Sequence, residues 1–192
     1  MHRIVFTGAQ GTGKTTILNY FREQGQNVIT EVVRNLAKKG VKINKDGDEK
    51  GQARIFKEYE KLLGEITQDG YISDRGLIDV TAYTVYLYNH GKVSEDFANK
   101  QLKKLHKFIL NHPSIVYCYF PIEFPLVEDG VRDLDEEFRK EIDSIILSLL
   151  GTLNLSFVIV NGTVEQRIEK IKDLKDWMDK SKQLFSSVSM NK

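Results

Sequence analysis

The sequence has one cysteine, three prolines and almost no net charge. The single thiol, Cys118, excludes a disulfide framework and any metal site built from several thiolates. No stretch reaches the roughly 18 consecutive apolar residues of a membrane helix, and the start of the chain, MHRIVFTGAQ, lacks the pattern of a signal peptide. With 28 basic against 27 acidic side chains, bulk charge alone does not select nucleic acid as a partner. We therefore expect a cytoplasmic protein without a membrane segment.

The length of 192 residues suits one domain. Short β-branched or aromatic runs alternate with longer segments of helical period, which is typical of an α/β domain with a parallel sheet. We expect one domain over residues 1–180 and a polar, flexible tail over 181–192. The predicted strands cover 3–7, 28–30, 71–73, 114–120 and 155–160, and the predicted helices cover 14–24, 51–67, 78–88, 96–110, 134–150 and 163–180.

The most specific motif is a phosphate-binding loop of the pattern G-x-x-x-x-G-K-S/T, placed between a strand and a helix. Glycines allow positive φ angles, so that successive N–H groups can point inward and bind an anion. The lysine would contact the β- and γ-phosphates of ATP, and the hydroxyl that follows it would bind Mg²⁺. The predicted nucleotide-binding residues are Gly8, Ala9, Gln10, Gly11, Thr12, Gly13, Lys14, Thr15 and Thr16.

Two acidic residues follow predicted strands, where ligands collect in open α/β sheets. Asp74 would hold a Mg²⁺-bound water, and Arg75 would bind a phosphate or substrate oxygen. Glu31 would accept a proton from an attacking hydroxyl or hold sugar hydroxyls. The residues leave open which of the two acids is the base. They also leave open that Asp74 and Arg75 only cap a helix and that Glu31 only pairs with Arg34.

Together these residues resemble the small P-loop nucleoside and nucleotide kinases. Asp74-Arg75 followed by Ala82-Tyr83 is similar to a pair of motifs in thymidylate kinases, and Glu31 takes the place of the base of deoxynucleoside kinases. The stretch from Phe120 to Arg139, with Asp129-Gly130-Val131-Arg132, is similar to the family typified by the nicotinamide-riboside kinase domain.

The resemblance implies a P-loop NTPase fold, a three-layer sandwich with a five-stranded parallel sheet between helices, and it implies bound ATP and Mg²⁺. It further implies a lid at about 125–140, whose Arg132 and Arg139 close over the transferring phosphoryl group, and an adenine contact at Gly162. A salt-bridged helix start is the alternative for the two arginines. Nucleotide kinases of this size are often dimers, so a homodimer is also implied.

Three functions remain open at this stage. The favoured function is transfer of the γ-phosphoryl group of ATP to a nucleoside, a nucleotide or nicotinamide riboside. A second is the phage-type reaction on hydroxymethylated pyrimidines within DNA, which rests on lysines in 38–50 and 100–107 and is not favoured. A third is a nucleotide-dependent switch that hydrolyses ATP or GTP, although no guanine-reading Asn-Lys-x-Asp motif is present.

Overall fold

The computed structural model describes residues 2–65, 70–126 and 135–189, with side chains up to residue 183. Its strands form one sheet of order β2-β3-β1-β4-β5, and all four neighbouring pairs run parallel. The strands are β1 (His2–Thr7), β2 (Val28–Ile29), β3 (Gly70–Asp74), β4 (Ile115–Tyr119) and β5 (Phe157–Ile159).

Helices cover both faces of this sheet, which gives the three-layer α/β sandwich that the sequence predicts. They are α1 (Lys14–Glu23), α2 (Val32–Lys38), α3 (Glu49–Gly64), α4 (Leu77–Asn89), α5 (Glu95–Asn111), α6 (Glu136–Thr152) and α7 (Val164–Ser189), with a 3₁₀ turn at Asn44–Asp46. Among the described residues, no helix combines the length and the apolar character needed to cross a membrane.

The sheet separates two hydrophobic cores. Val5 of β1 points to the core beneath α3, α4, α5 and α6, whereas its neighbours Ile4 and Phe6 point to the core beneath α1 and α7. This alternation follows from the two-residue period of a strand. Because β1 is the central strand and serves both cores, the loop that follows it is held from both sides.

The observed helix boundaries differ from the predicted ones where caps or tertiary contacts decide them. Helix α3 begins at Glu49 because the Asp48 carboxylate accepts a hydrogen bond from the Gly51 N–H at 2.8 Å. Helix α2 was not predicted, because its seven residues are too few to show a helical period. Helix α7 continues past the predicted end at Lys180 to Ser189, so the segment predicted as a tail is helical through that residue.

Candidate active site

The candidate site lies at the carboxyl edge of the sheet, where the strand order reverses around β1. The loop 8–13 leaves β1, and Asp74 ends the neighbouring β3, paired in register with Phe6. Glu31 follows β2 on the other side of β3. The parallel sheet thus brings together the phosphate-binding loop and both predicted acids, as expected for the switch point of an open α/β sheet.

Two glycines of the loop occupy positions that a larger residue would not fit. Gly8 has φ +133°, and a Cβ there would lie 2.5 Å from the carbonyl oxygen of Phe120. Gly13 caps α1 with φ +84°, and a Cβ there would lie 2.9 Å from Nη1 of Arg167. The loop therefore depends on glycine for both its backbone conformation and its close packing.

Lys14 is folded over the loop that precedes it. Its Nζ donates to the carbonyl oxygens of Gly8 at 2.8 Å and Ala9 at 2.6 Å, and to the Thr12 hydroxyl at 2.9 Å. Burial, together with the positive charge of Arg75, lowers the pKa of Lys14 to about 7. The amine is held at the end of a flexible side chain beside the loop, from which it can reach an incoming phosphate.

Thr15 and Asp74 form the candidate metal position. The Thr15 hydroxyl donates to Oδ2 of Asp74 at 3.2 Å. A hydroxyl and a carboxylate are hard oxygen donors of the kind that Mg²⁺ binds together with water and phosphate oxygens. Within the described ranges, no group of three His, Cys, Asp or Glu side chains could hold a metal ion. The donor set thus fits a Mg²⁺ ion that arrives with a nucleotide.

Arg75 is fixed by a buried carboxylate that the sequence analysis did not identify. Its Nη1 lies 3.7 Å from Oδ1 of Asp79, and its guanidinium lies 5.7 Å from the ring centre of Tyr83. Asp79 also accepts hydrogen bonds from the N–H groups of Gly8 at 3.4 Å and Gly76 at 3.1 Å. Burial raises the pKa of Asp79, while the charges of Arg75 and Lys14 oppose that rise.

Glu31 lies at the cavity wall and also makes the ion pair expected of a surface residue. It has φ +60° at the start of α2, and Nη1 of Arg34 lies 3.3 Å from its Oε1. Glu31 thus lines the cavity and also makes the ion pair with Arg34, and its role stays a prediction.

These residues enclose a cavity of about 440 Å³. Its wall contains most of the predicted site residues, which are Gln10, Gly11, Thr12, Gly13, Lys14, Thr15, Thr16, Glu31, Asp74, Arg75 and Gly162. Gly8 and Ala9, at the start of the loop, do not line it. Of the unpredicted lining residues, Gln52 and Tyr59 come from the inner face of α3 and Tyr83 from α4. The Tyr59 hydroxyl donates to the main-chain oxygen of Asp74 at 3.1 Å.

Of the two arginines of the predicted lid, only Arg139 lies among the described residues. Arg132 and the predicted segment around it lie outside the described residues at 127–134. Arg139 is 1% exposed, does not line the cavity and contacts the back of the phosphate loop. Its Nε donates to the Gln10 carbonyl oxygen at 2.9 Å and its Nη2 to that of Gly11 at 3.2 Å.

A second buried arginine, Arg167 of α7, was not predicted as a site residue. Its Nη1 donates to the Thr12 carbonyl oxygen at 2.5 Å and its Nε to that of Gly162 at 2.9 Å. Its Nη2 donates to Glu123, whose carboxylate also accepts from the Gly162 N–H. The guanidinium lies 4.9 Å from the ring centre of Phe124. The helical pattern of 163–180 gave no signal that one polar residue turns inward.

Comparison with known proteins assigns the chain to a family. A family model described as an AAA domain matches residues 3–167, and the chain belongs to this family. The sequence itself matches no curated protein.

Solved structures show which members of the P-loop class share its fold. The NadR protein in complex with NR superposes with a TM-score of 0.69 at 17% identity, over 93% of this chain and 52% of that chain. The deoxyadenosine kinase from M. mycoides superposes with a TM-score of 0.62 at 15% identity, over 92% of this chain and 99% of that chain. This chain thus spans about half the length of the NadR chain. The predicted P-loop kinase fold is confirmed.

Proposed function

We propose that this chain is an ATP-dependent kinase that transfers the γ-phosphoryl group to a nucleoside, a nucleotide or nicotinamide riboside. The observation that carries the proposal is one cavity whose wall contains Lys14 and Thr15 of the phosphate loop together with Glu31, Asp74 and Arg75. Phosphoryl transfer needs positive charge, a metal position and an oriented acceptor, and these five side chains can supply all three. The fold is shared with the deoxyadenosine kinase and NadR, and a NadR structure contains AMP-PNP.

The cavity wall combines two kinds of chemistry, which supports a nucleoside-like acceptor. One part of the wall is the phosphate loop with Lys14. Another part is Gln52, Ile55, Tyr59 and Tyr83, which are aromatic, apolar or uncharged polar side chains. Such a surface suits a flat, neutral ring system that is held by stacking and by an amide hydrogen bond.

The role proposed for each residue follows from its position in the cavity wall. Thr15 and Asp74 would hold Mg²⁺, which neutralises phosphate charge when it is bound. Lys14 would leave the carbonyl oxygens of Gly8 and Ala9 to contact the β- and γ-phosphates. Arg75 would hold an acceptor or phosphate oxygen, and Glu31 or Asp74 would accept the proton of the attacking hydroxyl. Arg132 and the lid at about 125–140, like the adenine contact of Gly162, remain part of this proposal. Arg139 is instead bonded to the main-chain oxygens of Gln10 and Gly11.

The direct test is transfer of label from γ-labelled ATP to a panel of nucleosides, nucleotides and nicotinamide riboside. We expect one class of acceptor to become labelled, and we expect Lys14→Ala to abolish this labelling. Label released only as free phosphate would contradict a kinase and support the nucleotide-dependent switch instead.

The same assay separates the two candidate bases. If Glu31 is the base, Glu31→Gln lowers kcat about 10²-fold or more, as expected for loss of a general base. Arg34→Gln removes the ion-pair partner of Glu31 and leaves the carboxylate, so it serves as the control. Unchanged turnover in Glu31→Gln would leave Asp74 as the base. A normal rate in Arg132→Ala would remove the lid arginine from the proposal.

A second candidate acceptor, a hydroxymethylated pyrimidine within DNA, is favoured by the charge on the outer face of α3. Lys50, Arg54, Lys57 and Lys61 are exposed and follow one another at helical spacing on that face. Helix α5 continues the basic surface, because Nζ of its Lys104 lies 6.0 Å from the ring centre of Phe56 on α3.

This candidate predicts that duplex DNA containing hydroxymethylated pyrimidines becomes labelled. It also predicts DNA binding that weakens steeply with salt, because bound cations release counterions from the phosphates. Lys57→Glu with Lys61→Glu should weaken binding, whereas Lys180→Glu on α7 should not. A flat salt response would exclude the DNA-bound acceptor and leave the free one.

A further inference from the structure

Five successive carbonyl oxygens of the phosphate loop accept hydrogen bonds from cationic side chains. The oxygens belong to Gly8, Ala9, Gln10, Gly11 and Thr12. Lys14 donates to the oxygens of Gly8 and Ala9, Arg139 donates to those of Gln10 and Gly11, and Arg167 donates to that of Thr12. The carbonyl oxygens of the loop are thus held by three positive charges, which come from α1, α6 and α7.

The three cationic side chains differ in whether they can give up their hydrogen bonds to the loop. The Lys14 amine also has to serve the phosphates under the proposed function, so its bonds to Gly8 and Ala9 are exchangeable. Arg139 and Arg167 are 1% and 2% exposed, and each guanidinium also donates to partners outside the loop. Arg139 also donates to the Phe124 carbonyl oxygen at 2.8 Å and to Glu136 at 3.1 Å. Both arginines are therefore permanent parts of the loop's support.

The geometry of the peptide unit connects these contacts to phosphate binding. In a trans peptide, the C=O of one residue and the N–H of the next point in opposite directions. A guanidinium that fixes the oxygen of Gln10 on the outside therefore turns the N–H of Gly11 toward the inside. By the same argument, the bonds to Gly11 and Thr12 orient the N–H groups of Thr12 and Gly13.

The charges of the two arginines are largely balanced where they lie. Arg139 is paired with Glu136, and Arg167 is paired with Glu123. Arg167 also lines the cavity, whereas Arg139 does not. What the two arginines share is their hydrogen bonds to the loop's carbonyl oxygens, which set the direction of the loop's N–H groups. Their ion pairs separate them from Lys14, whose charge can move to the ligand.

We propose that Arg139 and Arg167 are positioning residues that hold the phosphate loop in its anion-binding conformation before the nucleotide arrives. The inference rests on the proposed function only in taking this loop as the nucleotide site. It assigns to Arg139 a contact behind the loop in place of one with the transferring phosphoryl group, and it adds Arg167 on α7 to the site.

The test is the affinity for inorganic tripolyphosphate, measured by calorimetry, because this ligand needs neither base recognition nor an acceptor. We expect Arg139→Met and Arg167→Met each to lose about tenfold in affinity, since each removes charge-assisted bonds that orient the loop. Arg3→Met is the control, because Arg3 is a buried arginine of β1 at the opposite end of the sheet. It should lower the melting temperature and leave the affinity unchanged.

Lysine variants and hydrogen exchange keep the proposal falsifiable if a methionine variant fails to fold. Arg139→Lys and Arg167→Lys retain the positive charge but lose the planar guanidinium with its several donors. We therefore expect a smaller loss of tripolyphosphate affinity than in the methionine variants. Without ligand, amides of residues 10–16 should exchange faster in the Arg139 and Arg167 variants than in Arg3→Met.

Wild-type affinity in the Arg139 and Arg167 variants, or an equal loss in Arg3→Met, would overturn the proposal. Failure of the proposed kinase activity would give a different result. In that case the wild-type protein would bind tripolyphosphate but would transfer label to no acceptor.

Discussion

Two charged residues on the cavity wall hold a backbone conformation that side chains disfavour, as does Asn44 of the same wall. Glu31 has φ +60° and Arg75 has φ +75°, both in the left-handed region. Non-glycine residues pay for this conformation with strain and occur there mainly at functional sites. In both cases the strained residue follows a strand and turns its side chain into the cavity wall. The conformation is invisible in the sequence, and it supports the roles proposed for Glu31 and Arg75.

Gly8 is the residue at which the loop is least tolerant of change. A methyl group in Gly8→Ala would lie 2.5 Å from the Phe120 carbonyl oxygen, at φ +133°. We expect a loss of about 3 kcal/mol or more in the free energy of unfolding, because overlap and backbone strain combine. Urea denaturation measures this loss, and tripolyphosphate affinity should fall with it.

Gly91→Ala provides the matched control for Gly8→Ala. Gly91 also has positive φ, at +67°, but no atom lies within 4 Å of a Cβ built there. Its substitution should cost only the strain of the left-handed conformation, about 1 kcal/mol. Equal losses in the two variants would show that contact with Phe120 does not matter.

Single residues also show what the sequence could predict. Lys14, Thr15 and Asp74 were found because their positions follow from a local motif or from the end of a strand. Arg167 was missed because its contact with Thr12 spans 155 residues, and only the packed fold brings α7 against the loop. Arg139 was predicted in a lid over the phosphoryl group, with a salt-bridged helix start as the alternative. Its ion pair with Glu136 fits the alternative, but its bonds to the loop follow from no local pattern.

At the scale of elements, the strands were predicted better than the helix ends. Strands β1, β3 and β4 are largely buried runs whose apolar residues are adjacent in sequence, so a short window is enough to detect them. The start of α3 depends on a hydrogen bond to the Asp48 side chain, which a helical period does not show.

The join between α3 and β3 gives a prediction with a pH dependence. The Tyr71 hydroxyl of β3 donates to the Leu63 carbonyl oxygen of α3 at 3.0 Å. Burial raises the pKa of Tyr71 to about 12. Since this folded-state pKa exceeds the value of about 10 for an unfolded tyrosine, its contribution to stability is fully present below pH 10 and is lost as the pH rises toward 12.

We expect Tyr71→Phe to lower the free energy of unfolding by about 1 kcal/mol at pH 8. Between pH 10 and 12 the stability of the variant should fall less steeply than that of the wild type. Urea denaturation at several pH values measures both effects. Tyr88→Phe, at an exposed position of α4, is the control and should reproduce the wild-type slope. A Tyr71→Phe slope equal to the wild-type slope would contradict the assignment.

At the scale of the whole molecule, β1 joins the two hydrophobic cores. Val5 packs in one core and Ile4 and Phe6 in the other, so neither core can lose its contacts with β1 without disturbing the other. We therefore expect a single cooperative unfolding transition. Near-UV and far-UV circular dichroism should give the same midpoint in urea, and two separated midpoints would show that the cores unfold independently.

The phosphate loop connects this cooperative unit to its ligand. It begins at β1, opens α1 and is held by α6 and α7 through Arg139 and Arg167, so bound nucleotide should stabilise both layers of helices at once. At 100 times its dissociation constant, a ligand of the folded state adds about 2.7 kcal/mol to the free energy of unfolding. For a chain of this length, that gain corresponds to a rise of roughly 5–10 °C in melting temperature.

We accordingly expect Mg²⁺-ATP to raise the melting temperature of the wild-type protein by this amount. The protein should still unfold in a single transition. The same nucleotide concentration should leave the Lys14→Ala transition unmoved, because that variant lacks the amine that would contact the phosphates. Lys180→Ala removes an exposed lysine of α7 and should retain the full rise. Scanning calorimetry measures all three. If nucleotide stabilised Lys14→Ala as much as the wild type, ATP would be binding elsewhere, and the phosphate loop would lose its role in the proposed reaction.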